Sequence, residues 1–151
     1  MWRVFLWGSA LAAANKFQAF VEHVAEKVHN LGADTLKVML TNTAPVGTNS
    51  IKGDLTEISA GSGYSAGGTA ASISSSAQSS GTYKLTLADV VFTASGGSIG
   101  PFRYAVLYND TPTSPADPLI LYWDYGSSIT LADGETFTWD ADPTTGILTI
   151  A

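Results

Sequence analysis

The sequence predicts a mainly β protein, an antiparallel β-sandwich or jelly roll of about eight strands with one N-terminal α-helix. Short runs of alternating apolar and polar residues recur through the second half of the chain, as expected of half-buried strands. Glycine, proline, asparagine and aspartate separate these runs and mark turns. Only one stretch has helical spacing of its apolar residues. The 151 residues suffice for one domain with a sizeable core.

The chain divides into an apolar arm (1–14), a helix (15–32) and a β-sandwich (33–151), which together form a single globular domain. In the arm, Arg3 precedes a short apolar run, and three alanines follow it. This order is typical of a secretory signal peptide. The run is much shorter than the about 20 apolar residues that a membrane span needs, so we predict no membrane insertion.

If the arm stays on the protein, its aromatic side chains need cover. Trp2, Phe5 and Trp7 are expected to pack either on their own domain or on a neighbouring subunit. A free terminus is usually disordered unless such contacts hold it. With Phe17 and Phe20 of the following helix, these residues are the candidate contacts to another subunit or shell.

The helix is predicted from apolar residues at i, i+3, i+4, i+7, i+11 and i+14. These positions are Phe17, Phe20, Val21, Val24, Val28 and Leu31. Asn15 is the predicted N-cap, with Gln18 three residues later completing a capping box. Gly32 is the predicted residue that ends the helix.

The strands follow in order after the helix. Alternation predicts a strand over 35–41, a short edge strand over 55–58, and one polar strand over 69–78 inside a long Gly/Ser/Ala-rich loop. Disorder of that loop is the alternative. Further strands are predicted at 82–87, 90–94, 102–108, 119–124, 128–131, 136–140 and 147–150. Asp133-Gly134 marks a tight turn, and the last two strands are predicted to pair with each other.

Two G-x-S-x-G motifs, at 63–67 and 96–100, raise the possibility of a serine hydrolase. In an α/β-hydrolase this motif is a strand-to-helix turn, and the acid and the histidine of the triad follow it along the chain. Here no helical pattern follows either motif, and both histidines precede them. We therefore predict no catalytic residues, no enzymatic activity and no cofactor.

The two histidines are His23 and His29. On one continuous helix, six residues of separation would turn them roughly 120° apart. They would then not bind one metal ion together, unlike an i, i+4 pair. The prediction is that both face solvent or an interface.

Acidic and aromatic residues in the second half raise two further possibilities. Asp140 and Asp142 begin like a calcium loop, but Pro143 and the missing downstream glutamate break the pattern. Together with Asp133 they are predicted to form turns, so we predict no metal. A sugar-binding platform is the alternative to core packing for five aromatic residues. These are Tyr104, Tyr108, Tyr122, Trp123 and Tyr125, and core packing is favoured.

Charge and composition restrict the partners. The net charge is −6, and the second half is strongly acidic, which disfavours binding to nucleic acid. Charged residues make up 13%, about half the ~25% that is usual. A surface with so little charge favours self-association. The chain has no cysteine and therefore no disulfide.

From about Ala14 onward the chain resembles a family of small structural proteins of tailed bacteriophages. Four stretches carry the resemblance, in order along the chain. They are HNLGADTLKVMLTNTAPV, DLTEISAGSGYSAGG, SGTYKLTLADVVFTASGGSIGPFRYAVLYNDT and PLILYWDYGSSITLADGETFTWD with the terminal GILTIA. Residues 1–13 lie outside it.

The resemblance implies a non-enzymatic decoration (cement) protein on the capsid exterior of the virion. It also implies a homotrimer that binds the major capsid protein. Two alternatives remain open. One is a tail or fibre component that binds a host-surface glycan, and the other is a secreted carbohydrate-binding sandwich whose signal peptide is the arm.

Overall fold

The computed structural model of the chain describes residues 12–151 and the backbone of one further strand, Val4–Leu6. It is mainly β, as predicted. The helical elements are α1 (Ala19–Ala25) and a 3-10 turn (Lys52–Asp54). The strands are β1 (Val4–Leu6), β2 (Asn15–Lys16), β3 (Leu36–Thr41), β4 (Thr69–Ala70), β5 (Ile73–Ser79), β6 (Thr82–Leu87), β7 (Val90–Thr93), β8 (Ile99–Asn109), β9 (Leu119–Leu131), β10 (Thr136–Trp139) and β11 (Leu148–Ile150).

The strands form three sheets, consistent with a β-sandwich. The largest has five strands in the order β2-β9-β8-β3-β4, all antiparallel. The other two have three strands each, β1-β10-β7 and β11-β6-β5. Among the described strands, only β1 and β10 pair in parallel. The long hairpin of β8 and β9 is the centre of the large sheet, because every other strand of that sheet adds to one of its sides.

The main core lies on the inner face of the five-stranded sheet. Leu36, Val38 and Leu40 alternate along β3 and point into it, and all are at most 1% exposed. Opposite them lie side chains of the two smaller sheets, including Leu85, Phe92 and Phe137, with Phe102 from β8 between them. The period of two residues along each strand therefore puts one apolar row against another.

A second, smaller cluster lies on the outer face of the same sheet, and we call it the outer cluster. Its buried members on β3, β8 and β9 alternate with the inner residues, and Phe17 joins them from the segment between β2 and α1. The buried members are Phe17, Met39, Val106, Tyr108 and Leu119, with Leu55 and Tyr122 half-buried beside them. The large sheet is thus apolar on both faces, as the sequence of 119–124 indicates.

The predicted helix over 15–32 is wrong at both ends. Asn15 and Lys16 form β2 and pair with β9, and Gln18 takes the N-cap position without a side-chain cap bond. The helix ends because Lys27 adopts a left-handed φ of 63°. The Lys27 N–H donates to the Val24 carbonyl and the Val28 N–H to the His23 carbonyl. This pair of bonds is a Schellman motif, so the chain leaves the helix well before Gly32.

The predicted pairing of the last two strands is also wrong. β10 pairs with β7, whereas β11 pairs with β6 of another sheet. The segment between them contains the predicted turn, in which Asp142 accepts bonds from Thr144 and Thr145. That segment carries the chain from one sheet to the other. The two strands predicted at 119–124 and 128–131 are one continuous strand, β9 (Leu119–Leu131), with a bulge around Gly126.

The free edge of β3 is covered by the loop that follows the 3-10 turn. Beyond β4, the Leu40 N–H donates to the Tyr64 hydroxyl (3.0 Å), and its carbonyl accepts from the Ile58 N–H. Gly68 lies so close to the strand that a Cβ there would stand 1.9 Å from the Val38 carbonyl oxygen. Only glycine fits at that position, and the covered edge is closed to pairing with another chain.

Candidate functional site

The five predicted contact residues do not form one site. Phe17 and Phe20 are 0% and 5% exposed and fill the outer cluster and the main core, respectively. Both rings are therefore largely covered by their own domain, and their assignment as contacts to another subunit stays a prediction. Trp2 and Trp7 lie outside the described residues, and of Phe5 only the backbone is described, in β1.

The backbone of the arm pairs with its own domain. Val4, Phe5 and Leu6 pair with Thr136, Phe137 and Thr138 of β10. The sequence leaves open whether the arm packs on its own domain or on a neighbouring subunit. The backbone of this strand packs on its own domain. The strand lies at one edge of its three-stranded sheet.

An open, mainly apolar groove lies between α1 and β11, and we call it the α1–β11 groove. It encloses about 510 Å³. Its apolar lining comes from the helix, from β9 and from the last strand. These residues are Phe20, Val21, Val24, Leu121, Leu148 and Ile150. Val21 is 55% exposed and Ile150 39%, which is high for apolar side chains that lie side by side.

Sequence reasoning missed this groove for one reason. Val21 shares the apolar spacing of Phe20 and Val24, so the pattern assigns it to the core. In the structure α1 packs against the sheet through Phe20 and His23, which leaves Val21 outside. The signal that could identify such a residue is an apolar face of the helix that is wider than the part of the helix in contact with the sheet.

The two G-x-S-x-G motifs are structural turns that pack on each other. The Ser95 N–H donates to the Ser62 carbonyl. A Cβ at Gly63 would stand 2.2 Å from the Thr93 carbonyl, and one at Gly97 would stand 2.5 Å from the Ser62 hydroxyl. Gly63 and Gly97 are therefore required where the two segments approach each other closely.

The two histidines lie close together and His23 is buried, so the prediction that both face solvent is wrong, while a position at an interface stays a prediction. His23 is 9% exposed, and the two ring centroids are 5.8 Å apart. The helical argument fails because α1 ends at Ala25, so His29 returns toward His23 on a loop. His29 also packs on Phe20, with ring centroids 5.2 Å apart.

The carboxylates of the second half act in turns, as predicted for Asp133 and Asp142. Asp133 accepts from the Gly96 N–H. The bonds from Thr144 and Thr145 lower the pKa of Asp142, since they favour its charged form. Among residues 12–151, no three histidine or acidic side chains are grouped as metal ligands.

Most of the five aromatic residues fill the cores, as favoured. Tyr104, Tyr108 and Trp123 are at most 9% exposed, while Tyr122 and Tyr125 are half-buried. They thus present no flat exposed row of rings on which a sugar would stack.

A bidentate ion pair ties β8 to β9 near these rings. Arg103 donates from Nε and Nη2 to the two carboxylate oxygens of Asp124, at 2.7 and 2.8 Å. Hydrogen bonding to Arg103 lowers the pKa of Asp124. The guanidinium also lies over the Tyr104 ring, 5.4 Å from its centroid. The pair is more than one-third exposed, so water screens much of its attraction.

A network that we call the Glu57 clamp fixes the loop over the outer cluster. Glu57 Oε1 accepts from the Tyr64 hydroxyl (2.7 Å) and from the Gly67 N–H (2.6 Å). Its Oε2 lies 3.3 Å from Lys52 Nζ. The Tyr108 hydroxyl donates to the Gly67 carbonyl (2.7 Å). Burial raises the pKa of both tyrosines, so they remain neutral hydrogen-bond donors.

No family model, curated protein or solved structure matches the chain in the comparisons. No helix among the described residues is long and apolar enough to cross a membrane.

Proposed function

We propose that this chain is a structural protein of a tailed-bacteriophage particle that decorates the exterior of the capsid as a cement protein. The resemblance of four long stretches to small virion proteins motivates the proposal. The observation that carries it is the α1–β11 groove, an open apolar surface on a chain with 13% charged residues. Apolar patches rimmed by polar residues mark contact sites between proteins.

The proposed partners are the major capsid protein and two further copies of this chain. In this arrangement the groove receives an apolar side chain of the shell, and the arm contributes a second contact. A β-sandwich suits the role, because a cement protein needs a stiff scaffold and runs no reaction. A tail or fibre position remains the alternative placement.

The first test is the number of copies per particle. Quantitative mass spectrometry of purified particles should find this chain in a fixed ratio to the major capsid protein, close to one copy per capsid subunit. A few copies per particle, confined to tail fractions, would place it in the tail. Absence from particles would refute a virion role altogether.

The second test probes the groove with matched substitutions. Val21→Glu puts a charge in the groove, at a residue that is 55% exposed. Val91→Glu is the matched control, because it puts the same charge outside the groove, on β7, at a residue that is 51% exposed. We expect Val21→Glu to weaken binding to undecorated shells at least tenfold and Val91→Glu to leave it unchanged. Equal binding by both variants would exclude the groove as the contact.

The third test addresses the arm. A chain that lacks residues 1–13 should bind shells more weakly if the arm contributes to the contact. Thermal unfolding of the same truncated chain shows whether the loss of β1 also destabilises the domain. Decoration with unchanged affinity would exclude the arm while leaving the groove as the contact. Light scattering of the full chain, with a trimer expected, tests self-association.

A further inference from the structure

The two histidines pack against each other, and one nitrogen of each ring is buried without a hydrogen-bond partner among the described residues. His23 Nδ1 and His29 Nε2 are both buried and have no hydrogen-bond partner among the described residues. The rings meet edge to face, and Phe20 packs against His29. Unpaired buried polar atoms of this kind are uncommon and call for an explanation.

The neighbouring hydrogen bonds fix which nitrogen of His29 carries its proton. Asn109 Oδ1 accepts from the Thr111 N–H (3.1 Å), which orients the amide so that its Nδ2 is the donor. Nδ2 donates to Asp34 Oδ2 (2.6 Å) and lies 3.1 Å from His29 Nδ1. His29 Nδ1 must therefore accept. The neutral ring is protonated on Nε2, which is the nitrogen without a partner.

A second proton on His29 is disfavoured by this arrangement. It would have to enter at Nδ1, against the Asn109 N–H, and would create a buried cation beside His23. Burial, followed by the proximity of His23, lowers the pKa of His29 to about 4, and Asp34 opposes this shift. From the other elements packed around the ring, Lys27 and Tyr83 line the hollow next to it. Tyr83 hydrogen-bonds to Ser76.

We propose that the His23–His29 pair is a pH-operated latch, closed at neutral pH, that releases residues 18–34 from the sheet in acid. The helix in this segment has seven residues, too few to be stable by itself. It is held by the packing of Phe20 and His23 and by the turn at Lys27. The strands contain no histidine, so protonation acts on this segment first. Release would uncover Phe20 and Val24, which line the α1–β11 groove.

The direction of the pH dependence follows from the different proton affinities of the closed and open forms. The closed form binds the proton more weakly than the open form, whose histidines have an ordinary pKa near 6.5. The closed form is therefore fully favoured above pH 6.5 and loses its advantage as the pH falls toward 4. For a shift of this size the open-to-closed ratio should rise about ten- to a hundredfold between pH 7 and 4.5, the lower value allowing for water near the ring.

Hydrogen exchange by mass spectrometry tests the latch in the full chain. After correction for intrinsic rates, protection within 18–34 should fall about ten- to a hundredfold between pH 7 and 4.5. Protection within 99–109 should exceed that within 18–34 at both pH values, because β8 is central in its sheet and its amides exchange only when the domain unfolds. Equal protection of the two segments at pH 4.5, or no loss within 18–34, would overturn the proposal.

Variants separate the histidines from nearby acids. His29→Gln should remove the pH dependence within 18–34, whereas Glu26→Gln, an exposed helix-end control, should retain it. Asp34→Asn should also retain it. If the dependence vanishes in Asp34→Asn but persists in His29→Gln, the aspartate is the sensor and the latch is wrong. A histidine NMR titration of the unaltered protein is independent of variant folding, and an ordinary pKa for both rings would refute the proposal.

Discussion

The two faces of the five-stranded sheet are stabilised in different ways. The inner face is covered by two other sheets, whose side chains fill the space with apolar groups such as Phe137 and Trp139. The outer face is covered by Phe17 and a loop, and that loop is held by the polar contacts of Glu57 and Tyr108. Apolar packing is non-directional, whereas hydrogen bonds require particular partners. The outer face is therefore the one that a single polar substitution should open.

The largest effect is expected on the inner face. Phe102 is fully buried and packs edge to face on Phe137, with ring centroids 5.1 Å apart. Phe102→Ala should lower the free energy of unfolding by about 3–5 kcal/mol, the range for a lost buried phenyl ring. Urea denaturation measures it. Val91→Ala, on an exposed position of β7, should change stability by less than about 0.5 kcal/mol, and a similar loss in both would contradict this account of the core.

The next effect should come from the Glu57 clamp. Glu57→Ala leaves the Tyr64 hydroxyl and the Gly67 N–H without their acceptor, so we expect a loss of about 2–3 kcal/mol. Hydrogen exchange should show faster opening of 56–68 while β8 and β9 stay protected. Glu22→Ala, on an exposed turn of α1, is the control. Uniform loss of protection across the sheet would show that the two faces are not separable.

A smaller effect is expected from Tyr108→Phe, which keeps the ring in the outer cluster and removes one hydroxyl. The lost bond to the Gly67 carbonyl should cost about 1 kcal/mol. Tyr83→Phe removes the contact with Ser76 from a more exposed ring and should cost less. Thermal unfolding of the two variants side by side measures the difference, and a larger loss for Tyr83→Phe would reverse the assignment of the clamp.

The smallest effect should be a gain. Lys27 is held at a φ of 63°, which costs about 1 kcal/mol for a residue with a Cβ. Lys27→Gly should recover about that amount and tighten the end of α1. Lys27→Ala keeps the Cβ and should give no such gain. Denaturation midpoints compare the two, and an equal gain would attribute the effect to charge instead of backbone strain.

Sequence pattern predicts the strands well and their partners poorly. Alternation predicts strands at 35–41 and 82–87, within one residue of the observed bounds, because alternating apolar and polar residues within a strand mark its buried and exposed faces. It does not tell which strand lies next to which. β11 pairs with β6 because of how the chain crosses between sheets, and the turn around Asp142 looks the same for either pairing.

The helix shows how a periodic pattern can mislead. Phe17 matches the helical spacing, yet it lies in the outer cluster while Phe20 lies in the main core. The two phenylalanines therefore fit one helical spacing although they are buried on opposite faces of the five-stranded sheet. The proximity of His23 and His29 is not predicted either, because their angular separation assumes one continuous helix, whereas α1 ends before His29. The β3 edge cover at Tyr64 depends on contacts distant in sequence, which no local pattern contains.

The pairing of β3 with β8 also affects the rate and the order of folding. The β8–β9 hairpin joins strands that are close along the chain, but the pairing of Leu36 with Asn109 and of Leu148 with Leu85 closes long loops. Loop closure must occur before such contacts stabilise the chain. We expect folding to take about milliseconds to seconds, as in other β-sandwiches. The hairpin should form first, with β3 and β11 added afterwards, so the ends of the chain become ordered last.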